Sequence, residues 1–331
     1  MIPDMLLRLA INRLTIRPAE KQSLEEVIDS EAFFRALTPV LLSQILGRTI
    51  ARMEVGPDEL LRRAERDLRF LRARGCHALC MYDRRYPAAL QEIYDPPYLL
   101  YVRGEIPAAD LPMVAIVGTR DPGAPAAVAA RDLGRQFAHA GVTVVSGLAR
   151  GIDVEAHRGA VDHGITGAVL ASGVDLITPS AHRGIAARIL DRGGFILSEY
   201  APGVAPMKYH FPARNRIISG LSRSVIVVQA PAKSGALITA DYALDQGRDL
   251  FVHRAGIEGG RGAGAAGLAA DGAPVIDCAG DVFREWGIEM PPGGDPTAGA
   301  GETPVAPPSV DEAVRRRIES VRRSMLPEVS R

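Results

Sequence analysis

Along the first 75 residues the apolar positions fall at helical spacing. Leu24, Val27 and Ile28 are followed by Phe33, Phe34 and Leu37, then by Leu41, Leu42, Ile45 and Leu46. Gly47 and Gly56-Pro57 punctuate the pattern, and Asp58 begins a further helix. That helix carries Leu60, Leu61, Ala64, Leu68 and Leu71 on one face and six arginines, Arg62, Arg63, Arg66, Arg69, Arg72 and Arg74, mostly on the solvated side. Glu59, Glu65 and Asp67 stand close enough along it to pair with several of them. Residues 1–75 are therefore expected to form a small helical N-terminal domain.

From 76 to about 290 the pattern changes to short β-branched runs alternating with helical stretches. Strands are predicted over 76–81, 98–102, 113–117, 142–145, 166–170, 194–197, 224–228, 249–252 and 274–276. Nearly all-apolar strands separated by crossover-length segments imply a parallel sheet covered on both faces. Right-handed crossovers make it doubly wound, so the fold class is α/β with a doubly wound, mostly parallel sheet. Residues 291–308 are Pro or Gly at ten of eighteen positions, which is a linker composition. Residues 309–331 fit one short helical tail through Val310, Val314, Ile318 and Val321.

Composition narrows the partners. With 47% hydrophobic but only 5% aromatic residues, Val, Ile, Leu and Ala must fill the core. Formal net charge is zero, from 39 basic and 39 acidic residues, so any nucleic-acid site has to be a local basic patch. The alternative at this level is an ordinary metabolic enzyme. Lysine occurs only at 21, 208 and 233, and arginine carries the remaining positive charge. Cys76, Cys80 and Cys278 form no disulfide framework, and nothing at ligand spacing around them suggests a metal. Cys76 and Cys80 fall in an apolar run and are expected in the core. No leader segment and no apolar run of roughly 18 residues is visible, so the expected location is the cytoplasm, away from the membrane.

In an open parallel sheet, ligands bind beyond the carboxyl ends of the strands. Four loops leaving those ends are rich in Gly, Ser and basic residues. The first is Gly118-Thr119-Arg120, where glycine frees the turn and Arg120 offers a planar cation suited to phosphate. Alone it is equally a structural turn, since it is neither G-x-G-x-x-G nor a Walker loop. The second runs Ser146-Gly147-Leu148-Ala149-Arg150-Gly151-Ile152-Asp153, with Asp153 placed to cap the next helix and His157 four residues on. His157 suits a satisfied interior histidine or a direct role. The third, Lys208-Tyr209-His210-Phe211-Pro212-Ala213-Arg214-Asn215-Arg216, interleaves cations and aromatics, the composition that grips phosphates and stacks bases. Its alternative is a solvated loop with Phe211 plugging the core. Arg214 and Asn215 are expected to open a helix with Ile217, Ile218 and Leu221 on its apolar face. The fourth is Gln229 to Thr239, with Lys233, Ser234 and Gly235 at a helix start and Thr239 facing the same groove. Residue chemistry alone reaches an α/β protein with a phosphate- or nucleotide-binding edge.

VAIVGTR, VVSGLARGIDVEAH, FILSEY, FPARNRIISGLS and SGALITADYALDQGRDLF, preceded by YPAALQEIYDPPYLLYVRGE, resemble the DprA/Smf family in order and spacing over roughly 80–285. The resemblance implies an extended Rossmann-like domain behind a small helical one, and a non-enzymatic protein without cofactor. It also implies single-stranded DNA and the recombinase RecA as partners, a role in natural transformation, and a homodimer. Carried over, Arg120 is a phosphate-binding cation and Ser146, Gly147 and Arg150 line the second loop's pocket. Lys208 and Phe211 form a cation–aromatic pair, Arg214 and Asn215 lie at the groove, and Ser234 and Gly235 make the SG turn.

Some positions depart from the family pattern. Ile177-Thr178-Pro179-Ser180-Ala181-His182 replaces Tyr-Pro-x-x-Asn, and Arg254-Ala255-Gly256 stands for Pro-Gly. A Gly/Ala run from Gly259 to Gly267 lacks the Asn of Gly-x-Asn, and Gln229 replaces an acidic residue. The C-terminal winged helix of the family is not matched. The alternative function is a nucleoside monophosphate phosphoribohydrolase-type enzyme. Those carry Pro-Gly-Gly-x-Gly-Thr and paired carboxylates, where this chain has Lys233-Ser234-Gly235-Ala236 and the single Glu199. A nucleotide-sensing scaffold is the third class.

Overall fold

The structure, a computed structural model, describes residues 4–108 and 111–288. The expected linker at 291–308 and tail at 309–331 lie outside the described residues. The described residues belong to one compact unit.

Five helices come first: α1 (Met5–Asn12), α2 (Pro18–Val27), α3 (Glu31–Arg35), α4 (Pro39–Leu46) and α5 (Pro57–Arg74). The longest, α5, has Pro57 in its first turn, Asp58 and Glu59 against the positive end of the helix dipole, and Gly75 at φ 58° where it stops. Glu59 accepts from Arg62, Arg63 and Arg66 at 2.9–3.1 Å, as its spacing predicts. Asp67 does not join that ladder. It is buried and binds Arg13, which caps the end of α1, bidentately at 2.6 and 2.7 Å, locking the two helices together.

The remainder alternates strand and helix: β1 (Cys76–Cys80), α6 (Ala88–Gln91), β2 (Leu99–Gly104), β3 (Met113–Val117), α7 (Ala124–His139), β4 (Thr143–Ser146), α8 (Ile152–Ala160), β5 (Thr166–Val169) and α9 (Arg183–Asp191). Then follow β6 (Phe195–Ser198), α10 (His210–Leu221), β7 (Ser224–Val227), α11 (Gly235–Asp245), β8 (Asp249–His253), α12 (Ala263–Ala270), β9 (Val275–Ile276) and α13 (Ala279–Glu285). All nine predicted strands are present, with ends within two residues of those read from the pattern.

The strands form one sheet in the order β1-β2-β6-β5-β4-β3-β7-β8-β9. From β6 to β9 every neighbour is parallel, while β1 and β2 close the other edge antiparallel. Alternate residues of each strand serve opposite faces. Met113, Ala115 and Val117 pack under α10–α12, whereas Val114 and Ile116 pack under α7, α8 and α13. That second face continues beneath the N-terminal helices, where Tyr98, Leu99 and Tyr101 share one core with Leu7, Leu9, Ile11, Leu61 and Leu71. Cys76 and Cys80 are buried in β1, as expected of core residues.

Chain direction across the sheet reverses beside β3. One series runs β3-β4-β5-β6 to one side, and the chain then returns through α10 to β7 and continues to β9 on the other. The carboxyl ends of β3 and β7 therefore flank a topological switch point, where open α/β sheets take their ligands.

Candidate nucleic-acid interface

The loops at this switch point interlock through backbone. The N–H of Thr119 donates to the Gln229 carbonyl at 2.7 Å, and the N–H of Ile152 donates to the Thr119 carbonyl at 3.2 Å. Gly118 is obligatory because a Cβ there would lie 2.6 Å from Ile152 Cγ1 and 2.8 Å from the Gln229 carbonyl oxygen. The side-chain oxygen of Gln229 accepts from the N–H of Gly123 at 2.8 Å, so this residue clasps the loop ahead of α7 with both of its carbonyls.

The second loop is wound more tightly than the sequence suggests. The cap of α8 is Gly151, not Asp153. Asp153 sits inside the first turn, buried, and accepts from the N–H groups of Gly147 at 3.1 Å and Ala149 at 3.3 Å. The carboxylate thus folds the loop back on the helix. Leu148, at φ 56°, is held in the left-handed region that side chains rarely occupy, and its side chain is fully buried. Its carbonyl is met by Nδ1 of His182 at 2.8 Å. The altered 177–182 segment therefore supports this loop from below. His157 does not meet Asp153: its Nδ1 lies 2.7 Å from Thr166 Oγ1, and the ring is fully buried. Burial above all, with His182 and Arg214 nearby, pushes its pKa down to about 3.

Helix α10 begins at His210, one turn earlier than the expected start at Arg214. That turn decides which residues face the groove. Lys208 and Tyr209 remain exposed just ahead of the helix, and half-buried Phe211 lies in its first turn. The Arg120 guanidinium stands 5.2 Å from the centre of the Phe211 ring, joining the first loop to the third. Beside it the Tyr200 and His210 rings stack at 3.8 Å, and Tyr209 meets His210 edge-on at 4.6 Å.

Arg214, carried a turn further, points into the protein. It is 4% exposed and donates to the Val169 carbonyl. Its guanidinium fills the space over Gly147, where a Cβ would lie 2.5 Å from Nη2. Burial lowers its pKa to about 10, against the opposing pull of the Asp153 carboxylate. Asn215 is also interior, its side-chain amide donating to the Gly235 carbonyl at 3.1 Å and tying α10 to the start of α11. Ser146 is fully buried and donates to the Ile116 carbonyl at 2.6 Å. These findings correct the expectation that Ser146, Gly147, Arg214 and Asn215 line the rim: they build the floor beneath it. Thr239 is likewise buried, bonded to the Gly235 carbonyl at 3.5 Å, and does not face the groove.

The surface residues of the rim are Arg120, Arg150, Lys208, Lys233 and Gly235, with Gly118, Thr119, Phe211 and Ser234 half-buried among them. Ser234 caps α11 by accepting from the N–H of Ala236 at 3.3 Å. Arg216, counted from sequence among the cations of the third loop, does not face the groove either. It is buried and grips both oxygens of Glu199, at 2.8 and 2.7 Å, and the Asp95 carbonyl at 3.0 Å. The carboxylate of Glu199 is therefore committed to an internal ion pair. The pairing spans 17 residues and leaves no periodic trace in the sequence. Among the described residues no cluster of His, Cys, Asp and Glu is arranged to hold a metal ion. No described helix is long and apolar enough to cross a membrane.

The fold and rim define a Rossmann-like α/β protein whose switch point presents cations and an aromatic ring on a rigid, backbone-locked floor. The chain belongs to the DprA/Smf family: the family model described as DNA recombination-mediator protein A matches residues 77–287. It is 40% identical over 208 residues to DNA processing protein DprA of Streptococcus pneumoniae, covering 62% of this chain and 72% of that protein. It is 41% identical over 204 residues to protein Smf of Escherichia coli, covering 58% of this chain and 54% of that one. The crystal structure of the pneumococcal protein superposes with a TM-score of 0.68 at 33% identity, covering 86% of this chain and 99% of its own. A structure concerned with the single-stranded DNA binding mode of DNA processing protein A from Helicobacter pylori gives 0.57 at 31% identity, covering 64% and 95%.

Proposed function

We propose that this protein binds single-stranded DNA at the switch-point rim and delivers the strand to RecA during recombination and DNA uptake. In this reading it acts in the cytoplasm as a homodimer, by binding and without cofactor or chemistry on the DNA. The observation that carries the proposal is the placement of Arg120 over Phe211, with Lys208 three residues ahead of that ring. Phosphate-binding cations and a stacking surface then share one short stretch of rim, which is what an unpaired strand requires. Arg150, Lys233, Thr119, Gly118, Ser234 and Gly235 complete the proposed contact surface. Ser146, Gly147, Arg214 and Asn215 serve it indirectly, by fixing the loops from beneath. Membership of a recombination-mediator family supports the RecA assignment, and the Helicobacter relative supports the choice of ligand.

The test is oligo-dT affinity as a function of salt. Each phosphate contact on a single strand contributes a slope of about −0.7 in log K against log salt. The double variant Lys208→Ala/Arg120→Ala should bind more weakly and flatten the slope by about 1.4. Unchanged affinity and slope would remove the rim from consideration. A gel-shift comparison of single- and double-stranded oligonucleotides, with and without RecA, tests the second half of the proposal.

A further inference from the structure

The segment after β8 is mostly glycine and alanine, and its charged residues are Arg254, Glu258 and Arg261. Arg254 turns toward Asp277, with Nε at 2.8 Å from the carboxylate. Arg261 reaches the opposite way and meets the carboxylate of Asp121 at 3.3 Å. Asp121 directly follows Arg120, and its N–H donates to Thr119 Oγ1 at 3.2 Å. Arg261 therefore reaches the rim, its partner one residue along the chain from Arg120.

Its position is built from backbone. Gly256 packs on the end of β7 so closely that a Cβ would lie 2.6 Å from the Val228 carbonyl carbon. The N–H of Gly264 donates to the Ala230 carbonyl at 2.8 Å, and that of Gly262 to the Gly259 carbonyl at 3.0 Å. The loop is pinned on both sides of Arg261, while the side chain itself projects into solvent. The pair it makes is exposed, 60% for Arg261 and 85% for Asp121. Such a pair in water contributes little and is readily exchanged. A phosphate offers arginine a two-point contact with more charge than this single contact supplies.

We infer that Arg261 is a further phosphate contact, and that the bound strand runs from Phe211 past Arg120 toward the loop after β8. Asp121 is the counter-ion that the phosphate displaces. The inference rests on the single-stranded DNA reading of the rim and adds to it a direction and one contact in a loop where this chain departs from the family pattern.

The probe is oligo-dT of roughly 12 nucleotides, within the usual range of site sizes for such grooves. Arg261→Ala should weaken binding and flatten the salt slope by about 0.7, which is about a 2.6-fold smaller loss of affinity between 50 and 200 mM salt. Arg254→Ala, on the same loop but paired with Asp277, should leave both unchanged. Asp121→Ala should tighten binding, and in that background Arg261→Ala should cost more than it does alone, because the arginine is no longer shared. If Lys208→Ala/Arg120→Ala weakens binding while Arg261→Ala leaves affinity and slope intact, Arg261 is only a surface ion pair and the inference is wrong. Strictly additive effects of Asp121→Ala and Arg261→Ala would overturn the displacement step. A natural protein that fails to bind oligo-dT at all would overturn the parent reading of the rim along with this one.

Discussion

Replacing Arg214 by alanine separates a supporting residue from a contacting one. The guanidinium is 4% exposed, donates to the Val169 carbonyl and faces the buried carboxylate of Asp153. Its removal forfeits a charge-assisted bond, worth about 1.5–3 kcal/mol. It also leaves the buried Asp153 without the positive charge that favours its carboxylate; breaking a buried pair in direct contact costs about 3–5 kcal/mol, an upper bound here because the two groups act on one another at longer range. Two backbone N–H groups still solvate Asp153, so the lower half of that range is expected. For a unit of this size the loss corresponds to a fall in Tm on the order of 10 °C. Thermal unfolding gives the stability, and oligo-dT titration well below the transition gives the affinity. The salt slope should keep the natural value in the folded variant. Asp153→Asn should absorb part of the Arg214→Ala penalty, since the uncompensated charge is then gone. A variant with unchanged Tm and a salt slope flattened by about 0.7 would refute the interior placement and return Arg214 to the DNA surface.

Three further outcomes are expected. Phe211→Ala should weaken oligo-dT by about 1–3 kcal/mol while leaving the salt slope in place, because stacking releases no counterions; equal affinity for both proteins would exclude the ring as a stacking platform. His157, held neutral with a folded pKa of about 3 against an ordinary 6.5, contributes stability that is complete above the unfolded value and is lost as pH falls from there toward 3. At pH 4 that loss is about 3 kcal/mol, so urea midpoints at pH 7 and pH 4 should converge for His157→Gln relative to the natural protein; parallel losses in both would argue against the buried neutral ring. Incubation with nucleoside monophosphates should release no free base, given that Glu199 is committed to Arg216; release that disappears in Glu199→Gln would favour the hydrolase reading.

The strands were legible because buried parallel strands are continuous apolar runs with no competing pattern. The loops were legible because they must follow those strands, and their glycines and cations are local. The antiparallel pairing of β2 with β6 was not, since it depends on partners about 100 residues away in the chain for Tyr101 and Ser198. The inward turn of Arg214 was hidden for a different reason. With α10 beginning at His210, Arg214 sits in its second turn instead of at its exposed tip, and the decisive partners, Val169 and Asp153, lie on other elements. Asp153 looked like a cap because caps and first-turn acceptors share residue types. Only the coordinates distinguish bonding forward into a helix from bonding back to a loop.

The helices ahead of the sheet bear on how the molecule can be dissected. Tyr98, Leu99 and Tyr101 are all but sealed from water, in a core they share with residues of α1 and α5. A fragment beginning at residue 76 would present that aromatic strip bare, next to the antiparallel edge of the sheet, a combination that invites self-association. The segment that looks most removable is also the lid on the sheet's greasiest flank, and a minimal strand-gripping fragment has to retain it.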